Sequence, residues 1–241
     1  MHILATRLPL FPIWPAMVDL DGIQVPLREL PLEAGVRRRL MRGSYETAER
    51  GLIEQYIREG DQVLELGASM GIVSTSLSRK IGRQGRLVCV EANLQLRVPF
   101  NRVTSLNGVE ADWIHALSCP IWREEVPAEV SGKLFATGNS SLSGHATSAG
   151  DKNAVPVPWK TALNICEESG LEPTALVADI EGAEAIWQDF APNFPQSLRT
   201  IIIELHPRRI GSGCSGKVIQ AALDEGFRIG GVDQTVFAFV R

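Results

Sequence analysis

Two apolar segments in the first half of the chain constrain its fold more than any other feature. Residues 62–66 lead into a loop with glycine at positions 67 and 71, and residues 86–91 end on a glutamate. Continuous apolar runs bounded by glycine are typical of strands that are buried on both faces, as in a parallel sheet. Gly67 and Gly71 allow the backbone to turn tightly and to approach a ligand where a Cβ atom would collide. The sequence therefore predicts neighbouring parallel strands with a ligand site at their carboxyl ends.

The loop from residue 65 to residue 71 contains an acid and no Lys or Arg, so it favours a ligand that carries positive charge and no phosphate. Glu91, at the end of the second strand, can accept both hydroxyls of a ribose, so the pattern predicts a nucleoside. The third glycine of the dinucleotide motif and the lysine of a phosphate-binding loop are both missing from this loop. S-adenosylmethionine is a positively charged nucleoside without phosphate, and we expect it as the cofactor. The competing interpretation is a plain glycine turn in which Glu91 acts as a cap or contacts solvent.

Composition limits the class of protein. The chain has 241 residues, of which 44% are hydrophobic and 22% charged, and this is typical of one compact α/β domain with or without an extension. A net charge of −4 argues against a general nucleic-acid-binding protein, because such proteins carry a basic stripe. None of the four cysteines forms a C-x-x-C pair, so we expect a reducing, cytoplasmic location. We expect a small-molecule acceptor and no stable insertion into a membrane; the oligomeric state stays open.

The chain divides into an N-terminal extension and a domain with a regular strand–helix rhythm. Residues 1–44 contain a proline-rich apolar run, which we expect to form a flap over the core or the substrate entrance, and a hairpin around residues 21–22. Residues 45–241 alternate strands and helices, which predicts a parallel sheet covered on both faces and closed by a C-terminal antiparallel hairpin. Residues 119–158 interrupt this rhythm as an irregular insertion, and the Gly- and Ser-rich loop over 138–153 is typical of a lid or a binding element.

The same patterns predict individual elements. The predicted strands cover residues 62–66, 86–91, 109–114, 133–137, 175–180 and 200–205. The predicted helices cover residues 48–57, 71–82, a segment ending near 107, 159–169 and 215–224. Because of Pro99, we expect the helix that ends near residue 107 to start late or to kink. Residues 227–230 and 235–240 form the closing hairpin.

Several segments of the sequence resemble the FkbM family of S-adenosylmethionine-dependent methyltransferases. They are residues 43–46, 64–71, 90–93, 178–184 and 203–207. The run Asp-Ile-Glu-Gly-Ala-Glu at 179–184 is the most specific of them. The resemblance implies a doubly wound, mostly parallel seven-stranded sheet, which is the Rossmann-like class I methyltransferase fold. It also implies transfer of a methyl group to a hydroxyl of a small molecule or sugar.

The residues predicted to bind the cofactor lie in the first loop, after the second strand and, by their place in this fold, beside the adenine. They are Glu65, Gly67, Ala68, Ser69, Gly71, Glu91, Ala92, His115 and Ala116. Two of them depart from the usual family pattern, since Ser69 stands where Asn is frequent and Ala92 where Pro is usual. Neither departure removes a charge that the cofactor needs.

Acidic residues and one histidine follow the last two parallel strands. Asp179 and Glu181 follow one strand, and Glu204 and His206 end the next. A hydroxyl acceptor must lose its proton, so a base or a metal ion is expected nearby. With an ordinary pKa near ~6.5, His206 can be the catalytic base, with Asp179 and Glu181 as further catalytic residues that orient it. Alternatively, Asp179, Glu181 and Glu204 hold Mg²⁺ or Mn²⁺.

These residues also have purely structural interpretations. Glu181 and Glu184 can cap the following helix, whose dipole favours carboxylates, and His206 can anchor the turn before Pro207. His145, in the Gly- and Ser-rich loop, can approach the acceptor or remain in solvent. Together the motifs predict an O-methyltransferase, and the alternative is a non-catalytic cofactor-binding or interaction protein of the same fold.

Overall fold

The structure is a computed structural model that describes residues 14–137, 144–147 and 154–241. The strands of these residues fall into one large sheet and three small ones. In chain order they are β1 Val18–Leu20, β2 Ile23–Val25, β3 Gln62–Leu66, β4 Arg86–Glu91, β5 Asp112–His115, β6 Leu117–Cys119, β7 Leu134–Thr137, β8 Gly144–Thr147, β9 Ala154–Val155, β10 Trp159–Thr161, β11 Ala175–Ala178, β12 Thr200–Glu204, β13 Arg228–Asp233 and β14 Val236–Val240.

The helices alternate with the strands of the large sheet. In chain order they are α1 Ala34–Met41, α2 Thr47–Tyr56, α3 Ile72–Ile81, α4 Arg97–Leu106, α5 Ala128–Ser131, α6 Ala162–Ser169, α7 Pro207–Ile210 and α8 Ser212–Asp224. Short 3-10 helices cover Gly82–Gln84, Leu94–Leu96 and Ala183–Gln188. None of the helices in the described residues has the length and apolar character needed to cross a membrane.

Seven strands form the central sheet, in the order β13-β14-β12-β11-β3-β4-β5. The strands β5, β4, β3, β11 and β12 are parallel, whereas β14 is antiparallel to β12 and β13 is antiparallel to β14. The chain builds outward from β3 in both directions, so the strand order reverses between β3 and β11. This is the Rossmann-like class I methyltransferase fold, and the predicted mostly parallel sheet with its C-terminal antiparallel hairpin is confirmed.

Apolar side chains cover both faces of this sheet, because alternate residues of a strand point to opposite faces. On β3, Leu64 and Leu66 belong to one core cluster, while Val63 belongs to the other. Helices α6 and α8 pack on the first face, and α2 and α3 pack on the second. Burial of each large aliphatic side chain stabilises the fold by roughly 1.5–3 kcal/mol. The sheet therefore provides a rigid base for the loops at its carboxyl edge.

The N-terminal extension forms the predicted hairpin and packs on the helices beside it. Strands β1 and β2 are joined by Asp21 and Gly22, whose φ angles of 51° and 83° are those of a hairpin turn. Leu20 and Val25 share a buried cluster with Ile72 of α3 and with residues of α1 and α4. Residues 1–13, which contain most of the proline-rich run, lie outside the described part of the chain, so the flap stays a prediction.

The insertion contains two small sheets. Strand β10 pairs in parallel with β6, and β7 pairs in antiparallel fashion with β8 and β9. Phe135 on β7 shares a buried cluster with Leu117 and Val157. Of the predicted loop over 138–153, residues 144–147 form β8, and 138–143 and 148–153 lie outside the described residues. The insertion thus carries β8 to the carboxyl edge of the central sheet.

Several element predictions are wrong at their boundaries. The strand predicted over 109–114 is β5 Asp112–His115, and the helix predicted over 215–224 is α8 Ser212–Asp224. The helix predicted over 159–169 begins only at Ala162, because Thr161 and Asn164 form a capping box and the three residues before Ala162 pair with β6. Pro99 lies in the first turn of α4, where a missing N–H leaves no helical hydrogen bond unmade. Helix α4 therefore begins at Arg97, ahead of the proline.

Candidate active site

A cavity of about 490 Å³ lies at the carboxyl edge of the central sheet. Its lining includes Gly67 and Ser69 after β3, Glu91 at the end of β4, Asp179 after β11 and Glu204 at the end of β12. Open α/β sheets bind ligands at this edge, where the strand order reverses. The volume is that of a small-molecule site, for which roughly 300–1,000 Å³ is usual.

Acidic side chains dominate the lining of this cavity. The carboxyl groups are those of Glu46, Glu49, Glu91, Asp179, Glu181 and Glu204. Among the described lining residues, the groups that can carry positive charge are Arg39, His145 and His206. An excess of carboxylates attracts cations and repels phosphates. A nucleoside that carries a sulfonium and an ammonium group therefore fits the cavity better than a dinucleotide.

The residues predicted to bind the cofactor divide into two groups. Gly67, Ser69, Glu91, Ala92 and Ala116 line the cavity. The other residues, Glu65, Ala68, Gly71 and His115, do not. The structure thus brings together both ends of the predicted nucleoside site, the loop after β3 and the end of β4.

Left-handed backbone conformations shape the loop after β3. The φ angle is 89° at Gly67, 48° at Ser69 and 85° at Gly71. A Cβ atom on Gly67 would lie 1.8 Å from the backbone oxygen of Asp179, so a side chain cannot fit between the two loops. The need for glycine at position 67 therefore comes from the neighbouring loop after β11, which corrects the ligand-based reason given from the sequence.

Glu91 is buried beneath this loop and holds it in place. Its carboxylate oxygens accept the backbone N–H groups of Ser69 at 2.8 Å and Asn93 at 2.7 Å. Burial raises the pKa of Glu91 to about 7, although these two hydrogen bonds favour the charged form. A carboxylate oxygen has two acceptor positions, so each oxygen can still accept a hydroxyl from the cavity. Glu91 is therefore both a loop anchor and an available ribose ligand.

Two of the predicted cofactor ligands make hydrogen bonds to other parts of the protein. Oε2 of Glu65 accepts the Ser74 hydroxyl at 2.6 Å and the Cys89 thiol at 3.0 Å, and burial raises the pKa of Glu65 to about 7. Nε2 of His115 lies 2.9 Å from the carbonyl oxygen of Ala92. Each of these side chains thus stabilises the end of a strand.

His206 links the turns after β11 and β12. Its Nδ1 lies 3.1 Å from Oε1 of Glu184, and that oxygen also accepts the backbone N–H of His206 at 3.0 Å. Its Nε2 lies 3.3 Å from Asp179 and 3.6 Å from Glu181. Oε2 of the fully buried Glu184 accepts the backbone N–H of Gly182 at 2.8 Å. Glu184 therefore caps its own helical turn and also fixes the imidazole.

This environment keeps His206 protonated. Burial alone would lower the pKa of His206, but its contacts with Asp179 and Glu184, together with the charges of these two carboxylates, raise it to about 11. An imidazolium cannot accept a proton, so the raised pKa favours Asp179 over His206 as the general base, and the base role of His206 stays a prediction. The ordinary pKa near ~6.5 expected for His206 from the sequence is corrected to a raised one.

Asp179 is the better placed proton acceptor. Its Oδ1 is buried and makes no hydrogen bond within the described residues, although Nε2 of His206 lies at an ion-pair distance. Buried acceptors without a donor are rare in proteins, and such an atom at a cavity wall can be satisfied by a ligand. The sequence predicted a role for Asp179, but only the structure shows that its oxygen is unpartnered.

The described residues contain one group that could hold a metal ion. It consists of Asp179, Glu181 and His206, whose ligand atoms all lie within 4.8 Å of one another. However, metal binding requires a neutral imidazole, whereas the carboxylates here favour the imidazolium. Glu181 also pairs with Arg209 at 2.9 Å. The geometry therefore fits an ion-pair network better than Mg²⁺ or Mn²⁺.

Glu204, the third predicted metal ligand, does not belong to that group. Its Oε1 accepts the hydroxyl of Thr235 at 3.0 Å. Burial and the charge of Asp179 raise the pKa of Glu204 to about 7. Burial also raises the pKa of Glu49, which lines the same cavity.

Sequence reasoning missed the contribution of the segment before β3. Arg39, Tyr45 and Glu46 all line the cavity, and the Arg39 guanidinium lies 5.2 Å from the centre of the Tyr45 ring. Glu46 has a left-handed φ of 49° at the start of α2, and burial raises the pKa of Glu46 well above its usual range. The family-like run at 43–46 was the available signal for Tyr45 and Glu46. The signal for Arg39 was the basic run at 37–39, which a solvated helix face explains about as well as an anion site does.

Comparison with known proteins gives structural neighbours and no sequence relatives. No family model and no curated protein matches the chain. Aeropyrum pernix fibrillarin with natively bound S-adenosyl-L-methionine is 17% identical, with a TM-score of 0.43 over 79% of this chain and 73% of that one. An Aquifex aeolicus SAM-dependent methyltransferase is 13% identical, with a TM-score of 0.40 over 79% and 86%. A precorrin-6y C5,15-methyltransferase from Geobacter metallireducens is 10% identical, with a TM-score of 0.46 over 79% and 85%. These values carry no conclusion about activity.

Proposed function

We propose that the protein is an S-adenosylmethionine-dependent methyltransferase that acts on a hydroxyl of a small molecule or sugar. The observation that carries the proposal is the acidic cavity at the reversal of strand order, with Glu91 where a ribose is held. The resemblance of residues 179–184 to the FkbM family supports it. A cytoplasmic location is part of the proposal and agrees with four unpaired cysteines.

In this proposal, different residues of the cavity bind different parts of the cofactor. Glu91 accepts the ribose hydroxyls, and Ala92 and Ala116 contact the adenine. Arg39 pairs with the carboxylate of the methionine part, because its guanidinium has no ion pair within the described residues and lies at the cavity rim. The carboxyl of Glu46 provides a hydrogen-bond acceptor for the ammonium group.

The chemistry requires positioning and removal of one proton. S-adenosylmethionine supplies a methyl group on a positively charged sulfur. Oδ1 of Asp179, the buried acceptor without a donor, takes the hydroxyl proton of the methyl acceptor. His206 and Glu184 hold Asp179 in place as a charged, hydrogen-bonded unit. The loops at the carboxyl edge position the reacting groups for an accurate approach.

The proposed mechanism is independent of a metal ion. If Asp179, Glu181 and His206 did hold one, they would supply a Lewis acid at the acceptor hydroxyl. Titration of the protein with Mn²⁺, followed by electron paramagnetic resonance, should therefore give no stoichiometric binding. Tight binding of one Mn²⁺ that is lost in Asp179→Asn would replace the base mechanism with a metal-assisted one.

Isothermal titration calorimetry tests the cofactor. S-adenosylmethionine and S-adenosylhomocysteine should each bind with one site per chain, and NAD⁺ and ATP should not bind, because their phosphates meet the carboxylates of the cavity. Binding of NAD⁺, or no heat from any of the four ligands with folded protein, would reject the proposal.

A further inference from the structure

A second cavity of about 490 Å³ shares a wall with the first. His145, Ala146, Glu181 and Ala183 line both cavities, so the two spaces adjoin at these residues. His145 and Ala146 belong to β8 of the insertion, whereas Glu181 and Ala183 follow β11. The second cavity is therefore formed between the insertion and the turn that carries the proposed catalytic carboxylates.

The wall between the cavities contains an unsatisfied polar atom. Nδ1 of His145 is buried and has no hydrogen-bond partner within the described residues. Its neighbour across the sheet is Ala136 of β7, whose side chain offers no polar group. A buried ring nitrogen without a partner is costly unless a ligand or water completes it. His145 thus marks this wall as a place where a polar molecule is bound.

We propose, on the basis of the methyltransferase function proposed above, that the second cavity binds the methyl acceptor. Glu91 holds the nucleoside at the end of β4, so the sulfur end of the cofactor extends toward β11 and the shared wall. An acceptor in the second cavity reaches that wall from the other side, next to Asp179. The two substrates then meet where the unpartnered atoms of Asp179 and His145 lie.

The lining indicates the chemical class of the acceptor. Arg209 is paired with Glu181, so this part of the wall is neutral. The remaining polar side chains carry both signs and an amide, and they are Glu129, Lys133, Gln188 and Asp189. A fully apolar ligand would cover these polar groups without hydrogen-bonding them, and an anion or a cation would meet like charges as well as opposite ones. A small, uncharged molecule with several hydroxyl groups satisfies the lining best.

The first test uses a cofactor analogue in which a benzyl group replaces the transferable methyl. The benzyl group should extend from the first cavity into the second, so the wild-type protein should bind the analogue. Ala185 lines only the second cavity, and Ala185→Trp should fill it. By calorimetry, this variant should bind S-adenosylmethionine as the wild type does and the benzyl analogue at least tenfold more weakly.

Two further variants keep this test decisive. Gln188, an exposed residue of the second cavity, provides Gln188→Trp if Ala185→Trp does not fold. Gln220 on α8 lines neither cavity, and Gln220→Trp is the matched control that should bind both ligands like the wild type. Equal affinity of the filled variants for the analogue, or binding of S-adenosylmethionine but not the analogue to the wild type, would overturn the acceptor site. If the wild-type protein does not bind S-adenosylmethionine at all, the proposed function itself is rejected.

The second test addresses the class of acceptor. Protein saturated with S-adenosylhomocysteine is mixed in turn with methyl α-D-glucopyranoside and with phenol, and saturation-transfer NMR detects contact. The glycoside should give a signal that Ala185→Trp removes and Gln220→Trp keeps. A signal from phenol alone, or from neither probe, would overturn the assignment to a hydroxyl-rich acceptor.

Discussion

Replacement of Glu91 by alanine separates two effects that the structure assigns to one side chain. The carboxylate accepts the backbone N–H groups of Ser69 and Asn93, and in the proposed complex it also accepts two ribose hydroxyls. Loss of two hydrogen bonds to a buried charged group costs about 2–4 kcal/mol, which is roughly a 30- to 700-fold rise in the Kd for S-adenosylmethionine.

The same substitution should destabilise the free protein. It leaves two buried N–H groups without an acceptor, and each costs about 1–3 kcal/mol when no water replaces the carboxylate. We therefore expect Glu91→Ala to lower the free energy of unfolding by about 2–6 kcal/mol, so the substitution weakens the fold as well as the site. This differs from the expectation for a residue that touches only the ligand.

Calorimetry below the unfolding transition, combined with urea melts, distinguishes the two effects. Leu198→Ala is the matched control, because Leu198 is fully buried, lines neither cavity and should cost a similar 2–5 kcal/mol. The control should lose stability and keep its affinity. A folded Glu91→Ala variant with the Kd of the wild type would refute the ribose assignment, and a variant with unchanged stability would refute the anchoring role.

Three other predictions follow from the same site. The affinity for S-adenosylmethionine should rise roughly tenfold between pH 6 and pH 8 for each carboxyl that ionises. The reason is that Glu91 and Glu204 have pKa values of about 7 in the free protein and attract a cation only when they are charged. An affinity that calorimetry finds to be independent of pH would contradict this. Glu65→Gln should keep the cofactor affinity. Burial raises the pKa of Glu65 from 4.5 to about 7, so the folded protein holds this proton more tightly than the unfolded chain does. The free energy of unfolding of the wild type should therefore fall by up to roughly 3 kcal/mol as the pH rises from 4.5 to 7. Urea melts should find no such fall in Glu65→Gln. Arg39→Met should weaken S-adenosylhomocysteine at least tenfold and leave 5′-methylthioadenosine, which lacks the amino acid part, unchanged; equal effects on both ligands would remove Arg39 from the carboxylate.

The parts of the site that the sequence predicted well depend on local pattern. The apolar runs of β3 and β4, with Gly67 and Glu91 after them, are enough to predict a ligand edge on a parallel sheet, because strand burial and turn geometry are local properties. Residues alternate along a strand, so Glu65 shares the face of Val63, which packs toward α3, and its Oε2 bonds Ser74 of that helix.

The parts that the sequence could not predict depend on contacts between distant segments. The charge of His206 is set by Glu184 and Asp179, which lie on a different turn, and no pattern around His206 reports them. Trp159 begins β10 rather than a helix because it pairs with β6, about forty residues earlier in the chain. His145 lies in a Gly- and Ser-rich stretch without periodicity, so its place in the cavity wall follows only from the pairing of β8 with β7.

A crystal structure of the protein with S-adenosylhomocysteine would locate the cofactor in a single experiment. We predict that both ribose hydroxyls lie within hydrogen-bond distance of the Glu91 carboxylate, that the sulfur faces Asp179, and that the amino acid carboxylate lies against Arg39. A ligand bound elsewhere on the molecule, or bound in this cavity with its ribose away from Glu91, would contradict the proposed site.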